Sequence, residues 1–172
     1  HLLDAAPIHD MLETKHTLYG YSHGLSEAGY DIRIAEDITF LPPQSSPWKP
    51  WAYTAPTIER WGKNAEWADP LIIGRFCLAS TIDEFQMPSN LTGIVHDKST
   101  WARQGLSVFN TVIEPGWNGF LTLELSFSGE IPLSIPAGAG IAQVLFHSVS
   151  QNAHYNGKYQ NAGAGPQKAI FQ

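Results

Sequence analysis

The sequence predicts a mainly β domain of the jelly-roll or barrel-like sandwich type. Short apolar–polar alternating runs recur along the chain, with turn residues between them, as in all-β sandwiches and barrels. The 172 residues include 15 glycines and 12 prolines, a content typical of turn-rich β proteins. With 43% hydrophobic and 15% charged residues, the chain can bury one core. We therefore treat residues 1–172 as one domain with a few short helices.

Period-two alternation marks most of the predicted strands. It is clearest in residues 119–127, where one face carries leucines and a phenylalanine and the other carries Thr122, Glu124 and Ser126. The other predicted strands are residues 30–34, 71–79 with a continuation to residue 85, 91–96, 106–110, 131–135 and 141–149. Turns are expected at residues 87–90, 113–116, 128–130 and 136–140, where Pro, Gly, Asn and Ser concentrate.

Three segments depart from this β pattern. Within residues 1–24 the apolar spacing of Ile8, Met11, Leu12 and Leu18 predicts a short amphipathic helix. Residues 42–70 hold six prolines and four tryptophans, and proline removes ladder donors, so we expect an irregular excursion or long hairpin with room for one short strand. Residues 152–172 are rich in Gly, Asn and Gln and predict a flexible C-terminal arm.

Charge and cysteine usage narrow the class of protein. The net charge of −6 argues against a general nucleic-acid-binding surface, although a local cation cluster could hold one phosphate. A single cysteine, Cys77, favours a reducing compartment, and its apolar surroundings predict a buried side chain rather than a nucleophile. The sequence shows neither an apolar run of membrane-spanning length nor a signal-peptide pattern. We expect a cytoplasmic protein that binds neither membrane nor nucleic acid.

Glu124 is the carboxylate whose setting matters most. From the strand alone, a solvated carboxylate on an exposed sheet face is the favoured interpretation. However, its same-face neighbours Thr122 and Ser126 are uncharged. A lone carboxylate in such a setting can have a raised pKa and can transfer protons.

A second group of candidate residues surrounds Lys98. Ser99 and Thr100 precede a helix-compatible segment, residues 101–104, and are favoured N-cap residue types. A capped turn without function is therefore one interpretation. The other is an anion site, because the free N–H groups of a helix start would lie beside Lys98, and Arg103 would share a helical face with Ser99.

Taken together, these segments resemble the dCTP deaminases of the trimeric dUTPase-like superfamily. The resemblance rests on an ordered series of matches: Lys98-Ser99-Thr100-Trp101-Ala102-Arg103-Gln104-Gly105-Leu106, Thr111, Glu114-Pro115-Gly116-Trp117, Gly119 and Leu121-Thr122-Leu123-Glu124. Further matching segments are residues 29–33, 76–88, 141–146 and 157–160, whereas residues 42–70 have no match. The resemblance implies a distorted jelly-roll or β-clip-type dUTPase-like barrel. It also implies a homotrimer with active sites at subunit interfaces.

The resemblance also implies a reaction, the hydrolytic deamination of dCTP to dUTP and ammonia. Mg2+ would accompany the triphosphate, zinc would be absent, and dTTP would be a candidate feedback inhibitor. Zinc deaminases require a Cys-x-x-Cys pair with a further His or Cys, which one cysteine cannot supply.

Individual roles follow from the same resemblance. Glu124 matches the general base, and Ser99 and Arg103 match the residues that orient water and stabilise charge. The implied substrate contacts are Lys98 and Thr100 to phosphate, Thr111 to the base, Glu114 to the sugar, and Tyr155, Lys158 and Tyr159 over the triphosphate.

Two departures from the family pattern leave alternatives open. Relatives carry a second glutamine after Lys-Tyr-Gln-Gly, whereas this chain reads Gln160-Asn161-Ala162, so that nucleotide contact is missing or shifted. Val112 stands where close relatives have proline, which leaves room for a modified cytosine nucleotide. The alternatives are a bifunctional enzyme giving dUMP and diphosphate, a plain dUTPase, and a non-catalytic nucleotide-binding protein. The Ser99, Arg103 and Glu124 set favours deamination.

Overall fold

The computed structural model describes residues 15–41, 45–46, 49–53, 58–61, 72–73 and 75–171. These ranges contain fifteen strands and one short helix, so the predicted mainly β class is confirmed. In chain order the elements are β1 (His16–Leu18), β2 (Tyr21–Leu25), β3 (Tyr30–Arg33), β4 (Asp37–Phe40), β5 (Ser45–Ser46), β6 (Lys49–Tyr53), β7 (Ile58–Trp61), β8 (Ile72–Ile73), β9 (Phe76–Gln86), β10 (Leu91–Asp97), α1 (Ser99–Ala102), β11 (Leu106–Val108), β12 (Val112–Ile113), β13 (Asn118–Phe127), β14 (Leu133–Ile135) and β15 (Gly140–Ser148). No described helix has both the length and the apolar character needed to cross a membrane.

Four antiparallel sheets organise these strands. A six-stranded sheet has the order β1-β2-β3-β15-β10-β12, and a four-stranded sheet has the order β11-β13-β9-β8. Smaller sheets join β14, β4 and β7, and pair β5 with β6. In the four-stranded sheet a bulge interrupts the β9–β13 register between Phe120 and Thr122. The Leu121 N–H donates there to Thr81 Oγ1 at 3.0 Å, so the bulge leaves this buried donor satisfied.

The core fixes the orientation of β13. Its alternate residues Leu121, Leu123, Leu125 and Phe127 are buried, and the Phe127 ring stacks on Phe40 with centroids 5.2 Å apart. Burying each such side chain stabilises the fold by roughly 1.5–3 kcal/mol. Because the side chains of a strand alternate between faces, this burial directs Glu124 to the opposite face, as the sequence predicts.

The N-terminal helix prediction does not hold for residues 15–24, the part of that segment that the structure describes. The described part of residues 1–24 is a hairpin of β1 and β2, in which His16 pairs with His23 and Leu18 with Tyr21. The connecting residues Tyr19 and Gly20 have φ angles of 53° and 83°. A two-residue turn with positive φ at both positions matches the twist of a hairpin and cannot continue a helix. Ile8, Met11 and Leu12 lie outside the described residues.

Three further boundaries differ from the predictions. The Pro/Trp-rich segment, predicted as an irregular excursion or a long hairpin with room for one short strand, contains β5, β6 and β7 among its described residues, and β7 pairs with β4. The apolar run 71–79 is divided into β8 and the start of β9, which form a hairpin. Helix α1 begins at Ser99, so Lys98 is its N-cap, and no side chain caps it. Ser99 and Thr100 are therefore the first residues of the helix rather than its caps.

Residues 152–171 contain no strand but contact the domain closely. The Phe120 N–H donates to the Ala162 carbonyl at 2.9 Å, and the Asn161 N–H donates to the Asn118 carbonyl at 2.9 Å. The described arm therefore lies along the beginning of β13. Its flexibility stays a prediction.

Candidate active site

A cavity of about 430 Å³ opens on the face of β13 that carries Glu124. Its lining is mainly apolar and comes from β9, β12, β13 and the C-terminal arm. The apolar lining residues are Phe76, Leu78, Val112, Ile113, Trp117, Phe120, Leu121, Ala162 and Ala169. The polar ones are Thr111, Glu114, Thr122, Glu124, Tyr155, Tyr159 and Gln167. The cavity therefore offers few polar groups in an apolar setting, as small-molecule sites do.

Glu124 lies half-buried among these apolar groups, opposite Leu78 of β9. Loss of surrounding water raises the pKa of Glu124 above its ordinary value of 4.5, and a hydrogen bond from its own backbone N–H offsets part of that rise. The raised pKa expected of a carboxylate in an uncharged setting is confirmed. A fully solvated side chain, the interpretation favoured from the strand alone, is not what the structure shows.

Neighbouring strands hold Glu124 in place. The Phe109 N–H donates to the Glu124 carbonyl at 3.0 Å, which extends the β11 pairing by one bond. The Phe109 ring contacts that of Phe76, with centroids 6.1 Å apart. Val112, which lines the cavity, is 55% exposed, and Phe109, which contacts the lining residue Phe76, is 52% exposed.

Ser99, the first residue of helix α1, and Arg103, its C-cap, are directed away from the core. The single buried residue of α1, Trp101, donates through Nε1 to the Gly140 carbonyl at 2.7 Å and stacks on Tyr21. The Arg103 N–H donates to the Ser99 carbonyl at 3.0 Å, which gives the i to i+4 relationship expected from their spacing. Ser99, Thr100 and Arg103 are exposed, and none of them lines the cavity of Glu124 in the same chain.

Lys98 faces the fold rather than solvent. Its ammonium group contacts the Asp31 carboxylate and donates to Ser22 Oγ at 3.0 Å. Asp31 also accepts hydrogen bonds from Ser22 at 3.1 Å and from Gln143 at 3.2 Å. A phosphate would compete with Asp31 for this ammonium group, so a phosphate role for Lys98 stays a prediction.

The predicted turn after β12 is confirmed. The Trp117 N–H donates to the Glu114 carbonyl at 3.1 Å, and Gly116 adopts a φ of 73°. Glu114 is exposed yet lines the cavity. The Thr111 carbonyl accepts the Val95 N–H at 3.0 Å, which fixes the backbone where the base edge is expected.

The arm brings the predicted tyrosines to the cavity. The Tyr155 N–H donates to the Pro115 carbonyl at 2.8 Å, and Trp117 Nε1 donates to the Tyr159 carbonyl at 2.7 Å. Lys158 instead reaches the Ile170 carbonyl and lies over the Tyr159 ring, 5.3 Å from its centroid. Lys158 is exposed and does not line the cavity.

Sequence reasoning missed four residues of this region. Phe76 and Leu78 line the cavity from β9, the strand next to β13, where Leu78 pairs with Glu124. Knowing the register between β9 and β13 would have identified them. Gln167 lies in the arm and contacts Thr122, and Asp31 lies in β3 and contacts Lys98. No local sequence pattern predicts either contact. Within the described ranges, no three His, Cys, Asp or Glu side chains cluster as a metal-binding group.

Comparison with protein families matches residues 2–149 to the model described as dCTP deaminase-like. The dCTP deaminase of Protochlamydia amoebophila is 36% identical over 144 residues, covering 80% of this chain and 75% of that protein. The dCTP deaminase of Herpetosiphon aurantiacus is 40% identical over 134 residues, covering 73% of this chain and 67% of that protein.

Among solved structures, a mutant Staphylococcus bacteriophage 80alpha dUTPase with dUpNHpp superposes with a TM-score of 0.51 at 13% identity, covering 87% of this chain and 91% of that one. A mutant dUTPase from phage phi11 of S. aureus superposes with a TM-score of 0.50 at 12% identity, covering 88% of this chain and 94% of that one. These likenesses confirm the predicted dUTPase-like β fold.

Proposed function

The chain belongs to the dCTP deaminase-like family, and from this premise we propose that it hydrolyses dCTP to dUTP and ammonia. The observation that carries the proposal is Glu124, a carboxylate with a raised pKa that faces a largely apolar cavity. A general base is most effective when its pKa lies near the working pH, and burial moves the pKa of Glu124 in that direction.

The proposed reaction moves protons through Glu124. The carboxylate takes a proton from water as the water oxygen bonds to C4 of the cytosine ring. Glu124 delivers this proton to the ring nitrogen and then takes the second proton from the hydroxyl now bonded to C4. It gives that proton to the amine as the bond between C4 and the amine breaks and the C4 carbonyl forms. The products are dUTP and ammonia, and the carboxylate returns to its starting state. A raised pKa suits a group that must both accept and donate a proton in one cycle.

Ser99 and Arg103 enter this mechanism from a neighbouring chain in the proposed homotrimer. Both are exposed on α1 and lie outside the lining of the Glu124 cavity in their own chain. An interface site would bring the hydroxyl to the attacking water and the guanidinium to the charge that develops in the tetrahedral intermediate. A donor already aimed at such charge is among the largest catalytic contributions known.

The remaining proposed contacts hold the nucleotide. Thr111 and Glu114 line the cavity near the expected base and sugar, and Tyr155 and Tyr159 border it from the arm. Thr100 would contact the triphosphate directly. Lys98 would join it after leaving Asp31, and Lys158 would join it after leaving the Ile170 carbonyl. Mg2+ is part of the substrate in this proposal, since it travels with the triphosphate, and dTTP is the proposed feedback inhibitor.

The proposed reaction uses no zinc. Support comes from the sequence, because the zinc deaminases take two ligands from a Cys-x-x-Cys pair. The single cysteine of this chain, Cys77, is buried in β9 with its side chain in the core.

The test is to incubate the protein with dCTP and Mg2+, or with dUTP and Mg2+, and to resolve the products by chromatography. The proposal predicts dUTP and ammonia in equal amounts from dCTP and no product from dUTP. Release of diphosphate and dUMP would identify the bifunctional enzyme, or a dUTPase if dCTP stays unchanged. Binding of dCTP without any product would identify a nucleotide-binding protein of the same fold.

A further inference from the structure

Gln167 and Ala169, near the end of the described arm, line the cavity of their own chain. The Gln167 backbone N–H donates to Thr122 Oγ1 at 2.9 Å, and both residues line the cavity. Thr122 lies two residues before Glu124 on the same face of β13. Since a strand rises about 3.3 Å per residue, the two Cα atoms lie about 6.6 Å apart. The arm is therefore attached next to the proposed general base.

Contacts of the backbone before Gln167 position it beside Thr122. The contact between Ala162 and Phe120 fixes the arm along β13. Gly165 is buried and adopts a φ of 99°, a conformation that favours glycine. Gln167 Nε2 donates to the Gly165 carbonyl at 3.1 Å, so the side chain is held against this bend. These contacts hold Gln167, which is exposed, at the edge of the cavity that it lines.

The other glutamine in residues 152–171, Gln160, uses its side-chain amide for hydrogen bonds within the fold. Gln160 Oε1 accepts the Asn118 N–H at 2.9 Å, and its Nε2 donates to the Gly116 carbonyl at 2.8 Å and to the Tyr155 carbonyl at 3.2 Å. Gln160 does not line the cavity, whereas Gln167 does. Of the two glutamines in residues 152–171, only Gln167 is among the residues that line the space a nucleotide would occupy.

We propose that Gln167 is a nucleotide-contacting residue that the arm delivers in cis, with Thr122 as its positioning residue. This rests on the proposed function, since it assigns the arm's amide contact to the same site. A neutral amide both donates and accepts hydrogen bonds, which suits the polar edges of a pyrimidine nucleotide in a cavity with few polar groups. The glutamine contact in doubt at Asn161-Ala162 is then shifted to Gln167 rather than lost.

The first test separates binding from chemistry. Gln167→Ala is expected to raise KM for dCTP roughly threefold to tenfold, the effect of one neutral hydrogen bond, with kcat changed less than about twofold. The dissociation constant of dCTP, measured by tryptophan fluorescence in a Glu124→Gln background, should rise by the same factor. Thr122→Val should produce a similar rise because it removes the attachment point. Gln151→Ala, which removes an exposed amide outside the cavity, is the matched control and should change neither quantity.

The second test asks which chain supplies the arm. The hydrogen bond between Gln167 and Thr122 places their Cα atoms within the reach of a disulfide. The double variant Thr122→Cys, Gln167→Cys should therefore form an intrachain disulfide, seen as a single-chain band on a non-reducing gel. A disulfide-linked dimer, or no crosslink after oxidation, would contradict delivery in cis.

The two proposals fail in different ways. If wild-type protein turns over dCTP but Gln167→Ala has wild-type KM and affinity, the Gln167 assignment is wrong and the deaminase proposal stands. If wild-type protein binds dCTP but releases no ammonia, the deaminase proposal is wrong. The affinity comparison then decides the role of Gln167 by itself.

Discussion

Lys98 and Asp31, 67 positions apart in the chain, form an ion pair that joins α1 to β3. The Lys98 side chain is 11% exposed and that of Asp31 is 5% exposed. The Asp31 carboxylate also accepts hydrogen bonds from Ser22 and Gln143, so four segments of the chain meet at this group. The pair fixes the start of the helix that carries Ser99 and Arg103.

Asp31→Asn should lower the free energy of unfolding by about 3–5 kcal/mol, because it leaves a nearly buried ammonium group without its counter-charge. Urea denaturation measures this quantity. The exposed pair of Lys15 and Glu27, 3.9 Å apart, offers a matched control, and Glu27→Gln should change the unfolding free energy by less than about 1 kcal/mol. Equal small effects of both substitutions would show that the Lys98 pair is not structural.

The pH dependence of activity should report on Glu124. Burial raises the pKa of Glu124, and only its ionised form can accept a proton from water. The acid limb of the kcat/KM profile for dCTP should therefore be centred above the ordinary value of 4.5, with activity falling as pH decreases through it. An acid limb at or below 4.5 would contradict a buried general base.

The raised pKa of Glu124 should make its contribution to folding stability larger at acid pH than at neutral pH. Because the folded pKa of Glu124 is raised, the protonated side chain is favoured by folding. The contribution of the protonated Glu124 side chain to the free energy of unfolding is fully present below the unfolded pKa and is lost as pH rises through the folded pKa. Glu124→Gln removes the buried charge, so it should raise the melting temperature at neutral pH relative to wild type. The difference should shrink towards acid pH, and a constant difference across pH would refute the shift.

Mixed trimers test where Ser99 and Arg103 act. A Ser99→Ala, Arg103→Ala chain and a Glu124→Ala chain should each be inactive alone. After co-expression about a quarter of the sites should be intact, since each site draws on two randomly chosen chains in a closed symmetric trimer. Ammonia release would measure the regained activity. A mixture as inactive as its parents would place all three residues in one chain's site.

Trp101 connects the helix to the core, and its loss should affect both stability and activity. Trp101→Phe keeps an aromatic ring against Tyr21 but removes the Nε1 hydrogen bond to the Gly140 carbonyl. Leaving that buried carbonyl unpaired should cost about 1–3 kcal/mol in denaturation. We expect kcat/KM to fall as well, because α1 carries Ser99 and Arg103. Unchanged stability and kcat/KM would show that Trp101 does not position the helix.

Local periodicity predicted the strand that matters most. The alternation in β13 identified its buried face and placed Glu124 on the opposite face, and the Pro115-Gly116 pair correctly indicated the turn. These features depend on neighbouring residues, which a single sequence displays directly. The direction of the Glu124 pKa shift was expected from its uncharged same-face neighbours, and its cause in the structure is burial of the carboxylate.

Long-range and backbone-dependent features were not predictable in this way. The φ of 53° at Tyr19 turns the chain into a hairpin, and a non-glycine residue gives little sign of such a conformation. The partner of Lys98 comes from β3, and the partner of Thr122 comes from the arm 45 positions away. Tertiary pairing decides these contacts, so neither spacing nor composition identifies them.

The central claim is that Glu124 activates water for attack on a cytosine nucleotide, and ammonia release from dCTP tests it most directly. Wild-type protein should release one ammonia per dCTP consumed. Glu124→Gln, folded as shown by an intact melting transition and unchanged dCTP affinity, should be slower by at least about 100-fold, the lower range for loss of a general base. Turnover by that variant within a few-fold of wild type would contradict the account.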